Sequence, residues 1–199
     1  PLIVDSSNVF PLFVREDLRR WGHHIKFFSD IFSYNYLSAS KLINQLIKKE
    51  SRNLDIISFH DWLSGFSGII LKKNLNLPAV FHVHSLEEQR SMGGGSETVK
   101  EIERESAKVA DKIITVSYSM QNFMIEKGYP KDKINVVYNG IDIKKYRKEN
   151  VKKEIVDNLR EFYKIKGEKV ILFVGRLTWV KGIFNLIQAI PYVCLLYTS

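Results

Sequence analysis

The sequence predicts an α/β protein with a mainly parallel sheet, and three observations carry that prediction. Short apolar runs alternate with helical patterns at a spacing that suits βαβ units. Most of the runs are continuously apolar rather than alternating, as in strands covered by helices on both faces. Five of them end in distinctive polar or glycine residues, His60-Asp61, His84-Ser85, Ser117, Asn139-Gly140 and Gly175-Arg176. Open parallel sheets bind ligands in the crevice outside the carboxyl ends of their strands, which is where these residues fall.

In chain order, Leu2–Val4 is a short candidate strand, and Val14–Trp21 reads as a helix closed by Gly22. The predicted strands are Ile25–Phe28, Asp55–Phe59, Ala79–Val83, Lys112–Val116, Asn135–Tyr138 and Lys169–Val174, which leaves His23 and His24 in a helix-to-strand turn. Ser40–Glu50 carries Leu42, Ile43, Leu46 and Ile47 on one helical stripe. Ser96 is placed to cap a helix running to Ala110, with Val99, Ile102 and Val109 inward and Glu97 favourably set in the first turn. Ser117 is placed to cap the next helix, which Gly128 closes before Pro130. The charged segment Asp142–Glu168 reads as a junction. A first domain is therefore expected over residues 1–150, a linker over 151–168 and the start of a second domain over 169–199.

Composition sets wider bounds. With 199 residues, 45% hydrophobic and 26% charged, the chain is long enough for one full core and part of another. No apolar run approaches the roughly 20 residues of a membrane span and no secretory leader is visible, so the expected compartment is the cytoplasm. The single cysteine, Cys194, reads as a small apolar residue. A net charge of +8 favours anionic partners. Its densest cluster, Lys144, Lys145, Arg147, Lys148, Lys152 and Lys153, reads as a solvated face, with a membrane or lipid-acceptor surface as the functional alternative. It lacks the aromatic interleaving of a base-stacking surface, and no nucleic-acid partner is expected.

Four constellations carry chemistry. Ile171–Gly182 reads as a buried strand breaking at Gly175 into a helix that starts at about Thr178, with Arg176 and Lys181 as cations near its mouth. Free helix N–H groups and these cations suit a phosphate or diphosphate, and a lysine in a first helical turn is unfavourable unless an anion accompanies it. His60-Asp61-Trp62 pairs an imidazole with a carboxylate, for sugar hydroxyls, acid–base chemistry or a metal, while the plain alternative is a helix start with Asp61 as its N-cap. His82 and His84 share one strand face and, with His60, make a zinc hydrolase site conceivable. Gly93-Gly94-Gly95 matches no phosphate-loop fingerprint and is expected to be a mobile loop.

Taken in order, His60-Asp61-Trp62, Phe81-His-Val-His-Ser85, Glu103 with Ala110–Ser117, Val136–Asp142, and Gly175-Arg-Leu followed by Lys181-Gly182 resemble the retaining glycosyltransferases of family 4. These are the glycogen-synthase and sucrose-synthase-like enzymes of the GT-B fold, and the likeness runs from about Arg15 to Val193. It implies a Rossmann-like parallel sheet with flanking helices, an acceptor-side domain incomplete at its start, and the first βα unit of a second, nucleotide-sugar-binding domain. The implied activity is hexosyl transfer from a nucleotide-diphosphate sugar to a glycan, glucan or lipid-linked acceptor with retention of configuration.

By the same resemblance, Arg176 and Lys181 bind the donor diphosphate alongside Gly175, Asn139 and Gly140. His84 approaches the donor sugar or the forming bond and counts with Arg176 and Lys181 as catalytic, while His60 and Asp61 lie on the acceptor side. His82 has no role in the pattern. No metal or other cofactor is expected, and peripheral contact with the inner membrane face is compatible with a lipid acceptor. The family's first glycine-rich loop and its Glu-x7-Glu motif are absent, and Tyr192–Ser199 does not continue toward the expected loop. The chain is therefore expected to be a fragment with little activity alone. Two other classes stay open on the residues: a metal-dependent hydrolase using His60, Asp61, His82 and His84, and a non-catalytic basic binding module.

Overall fold

A computed structural model describes residues 23–197, with side chains from residue 26 to residue 193. Leu2–Val4 and Val14–Trp21 lie outside the described residues. The chain divides into two compact units, Pro1–Asn139 and Gly140–Ser199.

The first unit is built on β1 (Ile57–His60), β2 (Ala79–Val83), β3 (Lys112–Thr115) and β4 (Ile134–Val136). They form a parallel sheet in chain order, with Ile57 opposite Ala79, Val80 opposite Lys112 and Ile113 opposite Ile134. Parallel neighbours need crossovers, and these are α2 (Asp61–Asn74), α3 (Glu87–Arg90) with α4 (Glu97–Val109), and α5 (Tyr118–Glu126). Right-handed crossovers that step always to the next strand place their helices on one face of the sheet. The core lies there: Ile57, Phe59, Ala79, Phe81, Val83 and Ile113 from the strands meet Leu71 of α2, Ala107 of α4, and Met120 and Met124 of α5. Burial on both faces was the sequence expectation. Instead Ser58 and His60 on the opposite face are exposed, and Val80, His82 and Ile114 are half-buried.

Local signals account for most boundaries. Ser96 and Ser117 cap α4 and α5 as expected, each hydroxyl accepting from the backbone N–H three residues on. Gly128, at φ +82°, follows α5 in the left-handed region that L side chains avoid. Asp111, in the turn before β3, accepts from the Lys72 ammonium and from the Ala79 N–H, both at 2.7 Å. That hydrogen bond to Lys72 and the one from Ala79 hold its carboxyl below the usual range, so α2, β2 and β3 are joined through one ionised side chain.

Two predicted strands are not strands. Ile25–Phe28 falls inside α1 (His23–Lys41), which also takes in His23 and His24. Phe28, Phe32, Asn35 and Ala39 recur at helical spacing, and that stripe meets α2: Phe28 packs on Trp62 at 5.7 Å between ring centres and Phe32 on Phe66 at 5.3 Å. Asn35, fully buried, donates to the Leu63 carbonyl and accepts from the Ser67 N–H, both at 2.8 Å. The chain continues beyond α1 as a π-helical stretch, Leu42–Lys49, where the Ser40–Glu50 helix was expected.

Lys169–Val174 is the other correction. It is not assigned to a strand, and Ile171, Leu172 and Val174 are exposed. A strand exists only by bonding to a neighbour, and the second unit contains no other strand among its described residues. That unit holds α6 (Lys153–Phe162), within the stretch expected to be a linker, and α7 (Ile183–Tyr197).

Gly68 of α2 lies against the buried Phe59 ring, where an added methyl would stand only 2.4 Å from ring carbon. Phe59 is stacked on Phe81 with centres 5.1 Å apart, so it has little room to give. Gly68→Ala gains about 1 kcal/mol of helix propensity. Overpacking costs about 1–3 kcal/mol. A net loss of stability is expected, measured as a lower urea midpoint; an unchanged or higher midpoint would contradict this packing.

Candidate functional site

The carboxyl ends of β1 and β2 carry the polar cluster. β1 enters α2 without an intervening loop: His60 closes the strand and is the N-cap of the helix, and Asp61 is already its first residue. The reading of Asp61 as N-cap is thus displaced by one residue. Ser64 closes the junction, its hydroxyl accepting from the His60 N–H at 2.6 Å and donating to the His60 carbonyl at 2.7 Å.

Asp61 makes the turn at φ +48°, a left-handed conformation that aspartate tolerates better than most residues. Its Oδ1 accepts from the backbone N–H of His84 at 2.8 Å and of Ser85 at 3.4 Å. One carboxylate therefore ties the end of β1 to the end of β2. Strand register places His60 opposite His82, and their rings stack with centres 4.3 Å apart and planes 12° from parallel. His84 lies beyond, its Nε2 3.1 Å from Nδ1 of His60. One of those two nitrogens supplies the proton, so the bond couples the tautomers of both rings.

Partial burial, followed by the neighbouring His60 and His84, pushes the pKa of His82 down. Among the described residues no group of three or more histidines, cysteines, aspartates and glutamates could hold a metal ion.

A second network holds the segment after His84. Arg90 donates to the Ser85 carbonyl at 3.0 Å and to the Ser85 hydroxyl at 2.8 Å. Its guanidinium is itself gripped by Glu87 at 3.0 Å and by Glu103 at 3.1 Å. Glu103 is 1% exposed and also accepts from the Glu87 N–H through both carboxylate oxygens. Burial pushes its pKa up to about 7, against the opposing pull of that N–H and of Arg90. The signal for it was a carboxylate on the inward stripe of α4, three and four residues from Ser106 and Val99, and the sequence reading gave it no role. Ser85 reads in the sequence only as a polar strand-end residue, and Arg90 carries no signal. Gly95, at φ +90°, lets the chain pass tightly over Glu87 beside this network.

The remaining predicted residues belong elsewhere. Asn139 ends the first unit and is exposed. Gly140, Gly175, Arg176 and Lys181 belong to the second unit. Lys181 sits in a 3₁₀ turn, Trp179–Lys181, followed by Gly182 at φ +71°, and α7 begins only at Ile183. The lysine thus precedes the helix instead of occupying its first turn. Arg176 and Lys181 are exposed, and neither forms a salt bridge among the described residues.

Residues 7–145 match the family described as Glycosyltransferase Family 4. The chain belongs to that family. Glycosyltransferase MJ1607 of Methanocaldococcus jannaschii, itself uncharacterised, is 36% identical over 143 residues, 70% of this chain and 37% of the relative. The α-maltose-1-phosphate synthase of Mycolicibacterium smegmatis is 32% identical over 67% of this chain and 36% of its own. A glycogen synthase of Mycobacterium tuberculosis is 26% identical over 85% of this chain and 41% of its own. The family 4 chain thus spans about two fifths of the length of these relatives. Among solved structures, Anabaena Alr3699/HepE in complex with UDP superposes with a TM-score of 0.59 at 22% identity, covering 81% of this chain and 39% of that one, which places the fold in the GT-B class.

Asp61→Ala removes the acceptor for two backbone N–H groups and leaves alanine at a positive φ, so a loss of about 2 kcal/mol or more is expected. Asp61→Asn keeps an acceptor oxygen and the tolerance of that conformation, and should lose less. Urea unfolding of the three proteins checks the order. For Glu103, the folded pKa of about 7 lies above its ordinary 4.5, so the folded chain binds the extra proton between those values. Stability from this group is therefore full below about pH 4.5 and declines as pH rises toward 7. Glu103→Gln is expected to flatten that decline in urea midpoints taken from pH 4 to 8; an unchanged slope would refute the assignment.

Proposed function

We propose that the family 4 chain is part of a glycosyltransferase that moves a sugar from a nucleotide-diphosphate sugar to a glycan, glucan or lipid-linked acceptor with retention of configuration. The observation that carries this reading is the family match over residues 7–145 together with a histidine–aspartate cluster at the carboxyl ends of its parallel strands. The UDP in the Anabaena neighbour supports a nucleotide donor.

In this mechanism the breaking sugar–phosphate bond leaves negative charge on the departing diphosphate. Arg176 and Lys181, exposed and without salt bridges among the described residues, are suited to meet it, with Gly175, Asn139 and Gly140 around the donor. Fixed cations that meet charge as it develops lower the barrier more than they tighten ground-state binding, and they make a metal unnecessary. His84 approaches the donor sugar. Its backbone is held by Asp61 and its ring by His60, so both acceptor-side residues also position it.

The exposed basic stretch Lys144–Lys153 suits peripheral contact of a cytoplasmic enzyme with an anionic membrane face. None of the described helices is long and apolar enough to cross a membrane. Because the chain spans about two fifths of its relatives, we further propose that it turns over little or not at all when isolated.

The test uses a full-length enzyme containing this chain, assayed with UDP-, GDP- and ADP-sugars. Arg176→Ala and Lys181→Ala are each expected to lower kcat by about a hundredfold, the scale seen when one donor to a developing anion is removed. Undiminished turnover in the double variant would overturn the donor-binding assignment.

A further inference from the structure

The carboxyl ends of the strands absorb the histidine cluster, while a group of four cations lies at the amino ends of β3 and β4. A cavity of about 350 Å³ opens there, lined by Arg104, Lys108, Lys127 and Lys133 with Tyr129, and by a single carboxylate, Glu105. Its place follows from chain order. Lys108 ends the run into β3 and Lys133 immediately precedes β4, whereas His60 and His84 stand where β1 and β2 finish.

Several features make this more than a scatter of surface lysines. Lys133 is fixed at the carboxyl end of α4, donating to the Lys108 and Ala110 carbonyls at 2.8 Å each. Lys127 is fixed by Glu88 at 2.6 Å and rests over the Phe123 ring. Lys108 pairs with Glu105 at 3.2 Å, and Arg104 forms no salt bridge among the described residues. Tyr129 is buried, and burial pushes its hydroxyl pKa up, so the group stays protonated as a donor. Glu88 and Glu105 offset two of the four cations, and the remaining positive charge of Arg104 and Lys133 favours an anion bound among them. An unpaired guanidinium in a fork of donors is matched to phosphate geometry. The volume is at the low end for small-molecule sites, enough for a phosphorylated monosaccharide and too small for a glycan chain.

We propose that this cavity is a second ligand site, taking a small phosphorylated metabolite at the edge of the sheet opposite the histidine cluster. Lys127 connects it to that cluster. Its partner Glu88 belongs to α3, whose Arg90 holds Ser85, the residue after His84. An anion in the cavity competes with Glu88 for Lys127 and so loosens or shifts α3.

The test is an NMR titration of the 15N-labelled full chain with inorganic phosphate and with ribose 5-phosphate, against ribose and against chloride at matched ionic strength. Saturable binding of the phosphorylated probes is expected, with shifts at the cavity and in the Glu87–Arg90 amides. Arg104→Gln is expected to weaken it about tenfold, the scale of one charged hydrogen bond. Arg104 is exposed and unpaired by salt bridges, so this variant should fold, which its amide spectrum verifies. Arg176→Ala should leave the binding unchanged, which separates this site from the donor diphosphate. Four results would overturn the proposal: no saturation, indifference to Arg104→Gln, loss of binding in Arg176→Ala instead, or binding only to anionic phosphatidylglycerol vesicles. Saturation without movement of the Glu87–Arg90 amides would overturn the link to α3.

Discussion

A single carboxylate ties the carboxyl ends of β1 and β2 together. Asp61 bends the chain from β1 into α2 at a positive φ, a conformation that costs about 1–2 kcal/mol in a residue with a side chain. The two backbone hydrogen bonds it accepts from His84 and Ser85 offset that cost and bring the ends of β1 and β2 together. With strand register and the hold of Arg90 on Ser85, this tie sets the frame for the ring contact between His60 and His84. Strain, strand register and side-chain position are here one local solution, and local strain of this kind is common where a protein does chemistry.

Around that tie the molecule uses charge in two ways. Glu103 sits in the interior and is held by Arg90 and a backbone N–H, so its role is to fix the segment that follows His84. Arg176 and Lys181 of the second unit are the reverse case, exposed and without salt bridges among the described residues. A buried ion pair gives shape, whereas an open cation gives affinity for whatever anion arrives. The family 4 chain contains both, in different units.

The strand positions and most helix caps of the first unit were legible from local chemistry. Continuous apolar runs marked β1 to β4, and Ser96, Ser117 and Gly128 marked helix ends, because each of these signals acts within a few residues of itself. The failures came where a partner decides. Ile25–Phe28 looks like a strand until Trp62 and Phe66 are known to receive the same stripe, and only the long-range packing of α1 on α2 shows this. Lys169–Val174 has strand composition but no ladder. Of the histidine cluster, the residues and their shared strand ends could be read, while the bond from Asp61 to the His84 backbone and the grip of Arg90 on Ser85 could not. Those depend on which backbone groups β-strand register brings within reach, and on a left-handed turn at Asp61 that aspartate tolerates but does not announce in sequence.

The exposed apolar residues of the second unit have a bearing on how the chain behaves in bulk. Val170, Ile171, Leu172 and Val174 present a short, branched, apolar ribbon to water, the composition that readily adds to the edge of another molecule's sheet. What stands against such coalescence is the net charge of +8, which keeps molecules apart only as far as ions in solution allow. Colloidal behaviour of the chain is therefore a contest between one sticky ribbon and a long-range field, and added salt weakens only the field.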